Sequence, residues 1–281
     1  MRAKLKNSWV NILAGHVGKS GFPRLGGGDS HEHLVLPAKV YSNNVLSGRF
    51  RMIRVKPLGD LRVPEPPQFF MVWVPGVDEI PLSVADYDGD MLSFIYEVKG
   101  AGTSALSRLG PGSYVGLKGP LGKPLRVVEG SSALLVVGGS GVAPTPYITK
   151  YLASRGCRFE VVWGVKKRGE LFNLGSIMSG VEYIHVATED CSIGYCGLAS
   201  ELARELVGRY GYDLIIGVGP KGMLKSLCEV TSGVNTYVVL ETMVKCGVGL
   251  CGSCVLPNTD KLLCVDGPAF KCEEVMHYLR T

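Results

Sequence analysis

Ala133-Leu-Leu-Val-Val137-Gly138-Gly139-Ser140-Gly141-Val142-Ala143-Pro144 is where the chain changes character. The unbroken apolar run Ala133–Val137 reads as a strand buried on both faces. A turn of small residues follows, then a helical stretch from Pro146 to Ser154. Downstream the rhythm repeats, with apolar strands expected at Phe159–Val165, Tyr183–Ala187, Asp213–Gly217 and Thr236–Leu240. Leu198, Leu202 and Leu206 recur at i, i+4 beside Ala199 and Ala203, which gives an amphipathic helix before the fourth of these five strands. Met223–Glu229 gives another before the last. Continuous apolar strands alternating with helices describe an open parallel α/β sheet covered on both faces. We place it at residues 131–242.

The turn itself reads G-x-G-x-x-P from Gly139 through Gly141 to Pro144. Small residues there let a pyrophosphate approach a helix N-terminus, although the same string also serves a plain strand-to-helix turn. Gly217-Val-Gly219-Pro220 is a second such turn, after the fourth strand. Turns at the carboxyl ends of parallel strands line the crevice where open α/β sheets bind ligands, so Gly139, Gly141 and Gly219 are the expected nucleotide contacts. Lys166-Lys167-Arg168 follows the second strand, and no acidic residue stands at that strand's end. The basic run is either a solvated turn or a 2′-phosphate site.

Upstream of Ser131 the pattern is strand, turn, strand. Val40–Val45, Arg49–Val55, Phe69–Val74, Leu82–Asp86, Leu92–Val98 and Tyr114–Leu117 are short, rich in β-formers and separated by Gly, Pro and Asp. No helical period interrupts them, and we expect a small β-barrel over residues 35–130. Pro81-Leu82-Ser83, Gly100-Ala-Gly102-Thr103 and Gly119-Pro-Leu-Gly122 are each ordinary turn sequences alone, but their order ahead of a nucleotide-type sheet suggests that Gly102 and Thr103 face a pyrophosphate. Residues 1–34 read as an irregular extension, where His31 and His33 lack a third metal ligand.

After Glu241 periodicity stops. Five of the nine cysteines fall within residues 243–272. Cys246-Gly-Val-Gly-Leu-Cys251-Gly-Ser-Cys254 has C-x4-C-x2-C spacing, the opening of a plant-type [2Fe-2S] site. Gly247, Gly249 and Gly252 let the backbone turn its amides toward sulfur. A Zn(Cys)4 site is the chief competitor, though zinc more often uses two C-x2-C knuckles. Buried free thiols are the plainer alternative. By spacing, the fourth ligand is Cys264 or Cys272. Too short to build its own apolar core, the 243–281 lobe needs a metal centre to organise it. Cys157, Cys191, Cys196 and Cys228 are scattered, and are expected to be core or near-surface thiols in a reducing cytoplasm rather than disulfides.

With 281 residues, two main domains are expected. A net charge of +5 without a basic tail argues against a nucleic-acid protein. No apolar run approaches the ~18 residues of a membrane span, and the N-terminal patch Trp9–Ala14 does not read as a signal peptide. Mean hydropathy of +0.19 excludes global disorder and fits a chain with surface covered by a partner. A single glutamine, Gln68, fits a thermophilic composition.

Barrel, nucleotide sheet and cysteine lobe together resemble the ferredoxin-reductase family. Glu241-Thr-Met243, the Cys246–Cys254 loop and Cys264-Val-Asp266-Gly267-Pro268-Ala-Phe270 resemble, within it, the electron-transfer subunits of type B dihydroorotate dehydrogenases. The resemblance spans about residues 36–272. It implies Cys264 as fourth iron ligand, since in that family this cysteine directly precedes x-Asp-Gly-Pro. It implies FAD held through Arg-Pro-x-Ser and Gly-x-Gly-Thr, which Pro81, Leu82, Ser83, Gly100, Gly102 and Thr103 match, while Ile80 stands in place of the arginine. It also implies a relay in which a partner FMN subunit oxidises dihydroorotate, electrons cross the iron–sulfur centre singly, and FAD passes a hydride to NAD, in a heterotetramer of two subunits of each kind. No general acid–base pair is needed in this chain. NADH is the expected nucleotide, with Lys166–Arg168 keeping NADPH open. The competing readings are a subunit of an NADPH–ferredoxin transhydrogenase or sulfide dehydrogenase, a free-standing NAD(P)H flavin reductase, and a zinc-stabilised nucleotide sensor. In the transhydrogenase group the first cysteine is often replaced, whereas Cys246 is present here.

Overall fold

A computed structural model describes residues 35–48 and 50–281, so the extension and its two histidines lie outside the described residues. Six antiparallel strands come first: β1 (Leu36–Ser47), β2 (Phe50–Pro57), β3 (Phe69–Val74), β4 (Asp78–Tyr87), β5 (Leu92–Glu97) and β6 (Tyr114–Leu121). They close into a barrel in the order β1-β2-β5-β4-β3-β6. Phe70, Val72, Val84, Phe94 and Leu117 point inward and are fully buried, the period-2 pattern that made these segments read as strands.

The barrel is not helix-free. Gly100 to Thr103, expected to end a strand, opens α1 (Ala101–Ser107). Seven residues are too few to show a helical period, and what fixes this one is local. The Thr103 Oγ1 accepts the Lys99 and Gly100 amides at 3.0 and 3.1 Å, and Leu106, wholly buried, joins the barrel core.

The second unit contains β7 (Ser132–Gly138), α2 (Thr145–Ser154), β8 (Arg158–Val165), β9 (Tyr183–Thr188), β10 (Tyr195–Cys196), α3 (Ala199–Tyr210), β11 (Leu214–Val218), α4 (Lys221–Val230) and β12 (Thr236–Val239). The chain ends in α5 (Leu263–Asp266), β13 (Ala269–Lys271) and α6 (Cys272–Arg280). The sheet order is β10-β9-β8-β7-β11-β12-β13. All neighbours are parallel except β12 and β13, so the end of the cysteine segment returns into the nucleotide sheet as an antiparallel edge.

That return explains how a segment with no core of its own is held. Val244, Cys254, Leu256, Leu263, Cys264 and Phe270 share one buried cluster with Phe69, Met71 and Leu121 of the barrel, Leu224 of α4 and Val238 of the sheet. The lobe packs into the angle between both units. On the other side, Tyr147 of α2 enters the barrel's own core and donates its hydroxyl to the Pro64 carbonyl.

The scattered cysteines correct the expectation of free thiols. Cys191–Cys196 and Cys228–Cys272 are disulfides, with Cα atoms 4.4 and 5.6 Å apart. The first closes the loop between β9 and β10. The second ties α4 to the start of α6, a pairing 44 residues apart that only helix packing brings together. Cys157 alone of the four is free and buried.

Candidate functional site

The chain runs from β7 outward through β8, β9 and β10, then returns to β11 on the opposite flank of β7. The strand order therefore reverses between β7 and β11, the place where open α/β sheets leave a crevice beyond their carboxyl ends. A cavity of about 560 Å³ opens there, lined by Gly138, Gly139 and Ser140 after β7, by Pro220, Gly222 and Met223 after β11, and by Gly164 and Gly197. Gly139 is on its wall, as expected. Gly141 and Gly219 are not. A Cβ on Gly141 would strike the Val218 carbonyl, and one on Gly219 would lie 2.9 Å from the Gly138 carbonyl oxygen. Those glycines let the two turns touch each other, and so shape the crevice from behind.

The basic run is placed differently from the phosphate-site reading. Lys166 lines the cavity, whereas Lys167 and Arg168 are not among its lining residues. Two carboxylates that the sequence did not single out are: Glu170, whose side chain accepts the Lys166 amide at 3.2 Å, and Glu189, just past β9. Neither stands at the end of the second strand, where a dinucleotide fingerprint directs attention.

A second cavity of about 430 Å³ lies between barrel and sheet. Pro81, Leu82 and Ser83 of β4 and Thr103 of α1 line it, as does Ile80. Gly100 and Gly102 lie just outside. Gly102 is fixed by close packing, since a Cβ there would sit 2.8 Å from Asp78 Oδ2 and 3.1 Å from Ile80 Cδ1. The Thr103 hydroxyl is committed to the N-terminus of its own helix, not held free for a ligand. Lys99 is among the residues of the same wall. The far wall is Val244, Leu263 and Pro268, all from the cysteine segment. Glu97 and Ser140 line both cavities, so the two spaces meet there. At that junction Ser140 Oγ donates to Glu241 Oε2 at 2.9 Å, a bond between residues 101 apart.

Beyond Leu263 is the cysteine loop. Gly247, Gly249 and Gly252 have φ of 74°, 79° and 69°, the left-handed conformation that glycine adopts without strain. These turns aim amides at sulfur: Cys246 Sγ accepts the Val248 N–H at 3.5 Å and the Cys251 N–H at 3.4 Å. Cys254 Sγ donates to Cys264 Sγ at 3.2 Å, and the two are not joined as a disulfide. The Gly249 amide turns toward the Cys264 sulfur. The four thiols thus form two pairs, Cys246 with Cys251 and Cys254 with Cys264. Among the described residues, no three His, Cys, Asp or Glu side chains converge on one ion position. Cys272 takes no part, being joined to Cys228.

The pairs differ electrostatically. Hydrogen bonds from Ser253, with further donation from Cys246, bring the exposed Cys251 thiol down to about 6. Burial, and then the neighbouring Cys254 thiol, push Cys264 up to about 12. One thiol of the loop is thus exposed with a lowered pKa and another buried with a raised one, and each must give up its proton to bind iron.

A flavin-sized space between an antiparallel barrel and a parallel nucleotide sheet defines the ferredoxin-reductase class of folds. Over 89% of this chain the structure is similar to a chain of the NADH-dependent reduced ferredoxin–NADP oxidoreductase of flavin-based electron bifurcation, with a TM-score of 0.76, 26% identity and 91% of that chain covered. Residues 241–276 match the iron–sulfur cluster binding domain of dihydroorotate dehydrogenase B. The chain is 34% identical over 242 residues to the probable dihydroorotate dehydrogenase B (NAD(+)) electron transfer subunit of Methanopyrus kandleri, covering 85% of this chain and 91% of that one. It is 32% identical over 251 residues to the corresponding subunit of Caldanaerobacter subterraneus subsp. tengcongensis, covering 86% and 98%. The chain belongs to the family of dihydroorotate dehydrogenase B electron transfer subunits.

Proposed function

We propose that this chain carries electrons from a dihydroorotate-oxidising FMN subunit, through a [2Fe-2S] centre and FAD, to NAD, and so serves pyrimidine biosynthesis. The observation that carries the reading is continuity. The cysteine segment forms one wall of the cavity between barrel and sheet, and that cavity meets the nucleotide cavity at Glu97 and Ser140. When bound, the cluster supplies single-electron steps and FAD exchanges them for the two-electron hydride chemistry of NAD.

The residues present fit these groups. Cys246, Cys251, Cys254 and Cys264 are the iron ligands we propose, and their grouping into two pairs suits two irons better than one zinc. The Val248, Gly249 and Cys251 amides offset negative charge on sulfur. Pro81, Leu82 and Ser83 of β4 would hold FAD, with Thr103 lining the same cavity while its hydroxyl fixes the start of α1. Gly100 and Gly102 support them by letting α1 approach β4. Where Ile80 replaces a cation, Lys99 supplies one within the same cavity. Gly139 would face the NAD pyrophosphate, with Gly141 and Gly219 holding its turn. Glu170 and Glu189 favour NADH over NADPH, because a 2′-phosphate beside two carboxylates is repelled.

The partner meets the cysteine lobe. Met243, Leu250, Val255 and Val265 are exposed there, Leu250 by 86%, giving an apolar rim around the thiols. We place the chain in a two-plus-two assembly with the FMN subunit. Among the described residues no helix is long and apolar enough to cross a membrane. We assign it to the cytoplasm, where the thermophilic composition read from the sequence fits disulfides such as these.

Purified holoprotein should contain FAD and show the visible and electron paramagnetic resonance spectra of a [2Fe-2S] centre. Cys264→Ser should lose the centre and Cys272→Ser should keep it. Alone it should reduce artificial acceptors with NADH yet form no orotate, and adding the FMN subunit should restore NAD-linked orotate formation. Zinc without visible absorbance, or dihydroorotate turnover by the lone chain, overturns the reading. The likeness to the bifurcating oxidoreductase favours a transhydrogenase subunit as second reading, which gains support if the FMN subunit neither binds nor couples.

A further inference from the structure

Lys118 and Glu79 form an ion pair with Nζ and Oε2 2.9 Å apart, and their side chains are only 14% and 27% exposed. Neither residue belongs to a motif of the sequence. Both stand on the outer face of the barrel where the cysteine lobe is seated. Lys118 on β6 is in register with Met71 on β3, and Met71 belongs to the core shared with Cys254 and Cys264. Glu79 on β4 is in register with Trp73 on β3 and immediately precedes Ile80 of the flavin cavity.

The pair is oriented. A Cβ built on Gly247 would lie 3.6 Å from Lys118 Cε, in the same pocket as Met71 Cγ and Leu121 Cδ1. The lysine end therefore abuts the residue that follows Cys246, while Glu79 sits on β4, the strand whose Ile80 to Ser83 line the flavin cavity. A half-buried ion pair adds little net stability, because desolvation offsets most of the Coulomb attraction. Its place beside the cysteine loop, on a strand next to those that line the flavin cavity, points to another role.

We propose that Lys118, held in place by Glu79, is a positioning charge that sets the reduction potential of the iron–sulfur centre. This rests on the cluster assignment above. Reduction of the centre adds one electron and makes or breaks no bond. The added negative charge is stabilised by a fixed cation beside the loop, in a setting where screening is weaker than in bulk water. Glu79 works against the cation electrostatically but keeps it from swinging into solvent.

The test is a redox titration of full holoprotein, following the cluster by electron paramagnetic resonance, with iron and sulfide counted per chain. Lys118→Gln should make the centre roughly tenfold harder to reduce, ~59 mV lower for a one-electron couple. Glu79→Gln, whose amide oxygen still accepts from the Lys118 ammonium while the opposing charge is gone, should shift it the opposite way, and Lys118→Arg should keep the wild-type value. Opposite shifts from the two halves of one pair are not what lost packing produces. If Lys118→Gln does not fold, Glu79→Gln still decides by its sign. Equal potentials throughout, or shifts of one sign in both variants with intact clusters, overturn this inference and leave the cluster assignment standing. A wild-type protein with no cluster overturns both.

Discussion

Two segments of this chain are rich in glycine, the turn at 138–141 and the loop at 247–252, and their glycines do different work. At the turn the need is chiefly space, Gly139 alone having a positive φ, of 53°. Gly138, Gly141 and Gly219 have ordinary φ, but a Cβ on any of them would run into Met223, the Val218 carbonyl or the Gly138 carbonyl. In the loop the need is direction. Gly247, Gly249 and Gly252 have positive φ, and around Gly252 there is no atom within 4 Å to collide with. One segment uses glycine to bring backbone against backbone, the other to turn amides toward sulfur. The first shapes a cavity for a ligand that comes and goes, the second a cage for a resident centre.

If that contrast holds, Gly141→Ala should have the largest effect of any single methyl added here. Its Cβ meets backbone atoms of Val218 and Gly219 on the neighbouring strand, which cannot yield as a side-chain tip does. Overpacking of this kind costs about 3 kcal/mol. Denaturant unfolding should show the loss, and calorimetry should show weakened NAD binding in the fraction that folds. Iron content should be preserved in that fraction. A variant of wild-type stability would break the space argument.

Gly249→Ala should come next and divide its effect the other way. The left-handed conformation costs an alanine about 1–2 kcal/mol. Its Cβ would lie 2.8 Å from Val265 Cγ2, a half-exposed side chain that can move aside. Turning the amide away from Cys264 should reduce iron and sulfide per chain severalfold while far-ultraviolet circular dichroism stays unchanged. Gly252→Ala bears the φ cost alone, about 1 kcal/mol, and should keep its iron. Equal iron loss in both would mean that strain in the loop matters more than the direction of one amide.

The same contrast explains what could be read in the sequence. The sheet was legible because its strands are unbroken apolar runs, as at Ala133–Val137, and the cysteine loop because its spacing is rigidly local. Non-local pairings were not. Cys228–Cys272 needs α4 packed on α6, and Ser140–Glu241 needs β7 and β12 to deliver their ends to one point. Gly141 and Gly219 read as ligand contacts in the sequence, and the close approach of two turns, which no local string announces, gives both a packing reason to be glycine. Thr103 looked like a phosphate ligand, while its hydroxyl caps α1, a helix too short to declare itself. Glu170 and Glu189 were overlooked because they follow the second and third strands at irregular distances.

The smallest expected effect comes from a bond that touches neither glycine segment yet joins the units carrying them. Tyr147 of α2 is buried in the barrel core, and its hydroxyl donates to the Pro64 carbonyl at 2.5 Å. Burial, reinforced by the Asp86 and Glu65 carboxylates, pushes this phenol up to about 12. The folded state therefore holds the proton more tightly than the unfolded chain, which releases it near 10. The stability tied to the neutral phenol is complete below pH ~10 and is lost as pH rises from ~10 to ~12. Tyr147→Phe should lower stability at neutral pH by about 0.5–1 kcal/mol, the value of one net hydrogen bond. It should also flatten part of the alkaline decline in a stability-versus-pH series, leaving the share due to Tyr212, also raised to about 12 by burial. Iron content and NAD affinity should remain at wild-type values, since neither the turn nor the loop is touched. A loss of either would mean that the angle between barrel and sheet, and not glycine geometry alone, governs what these segments bind.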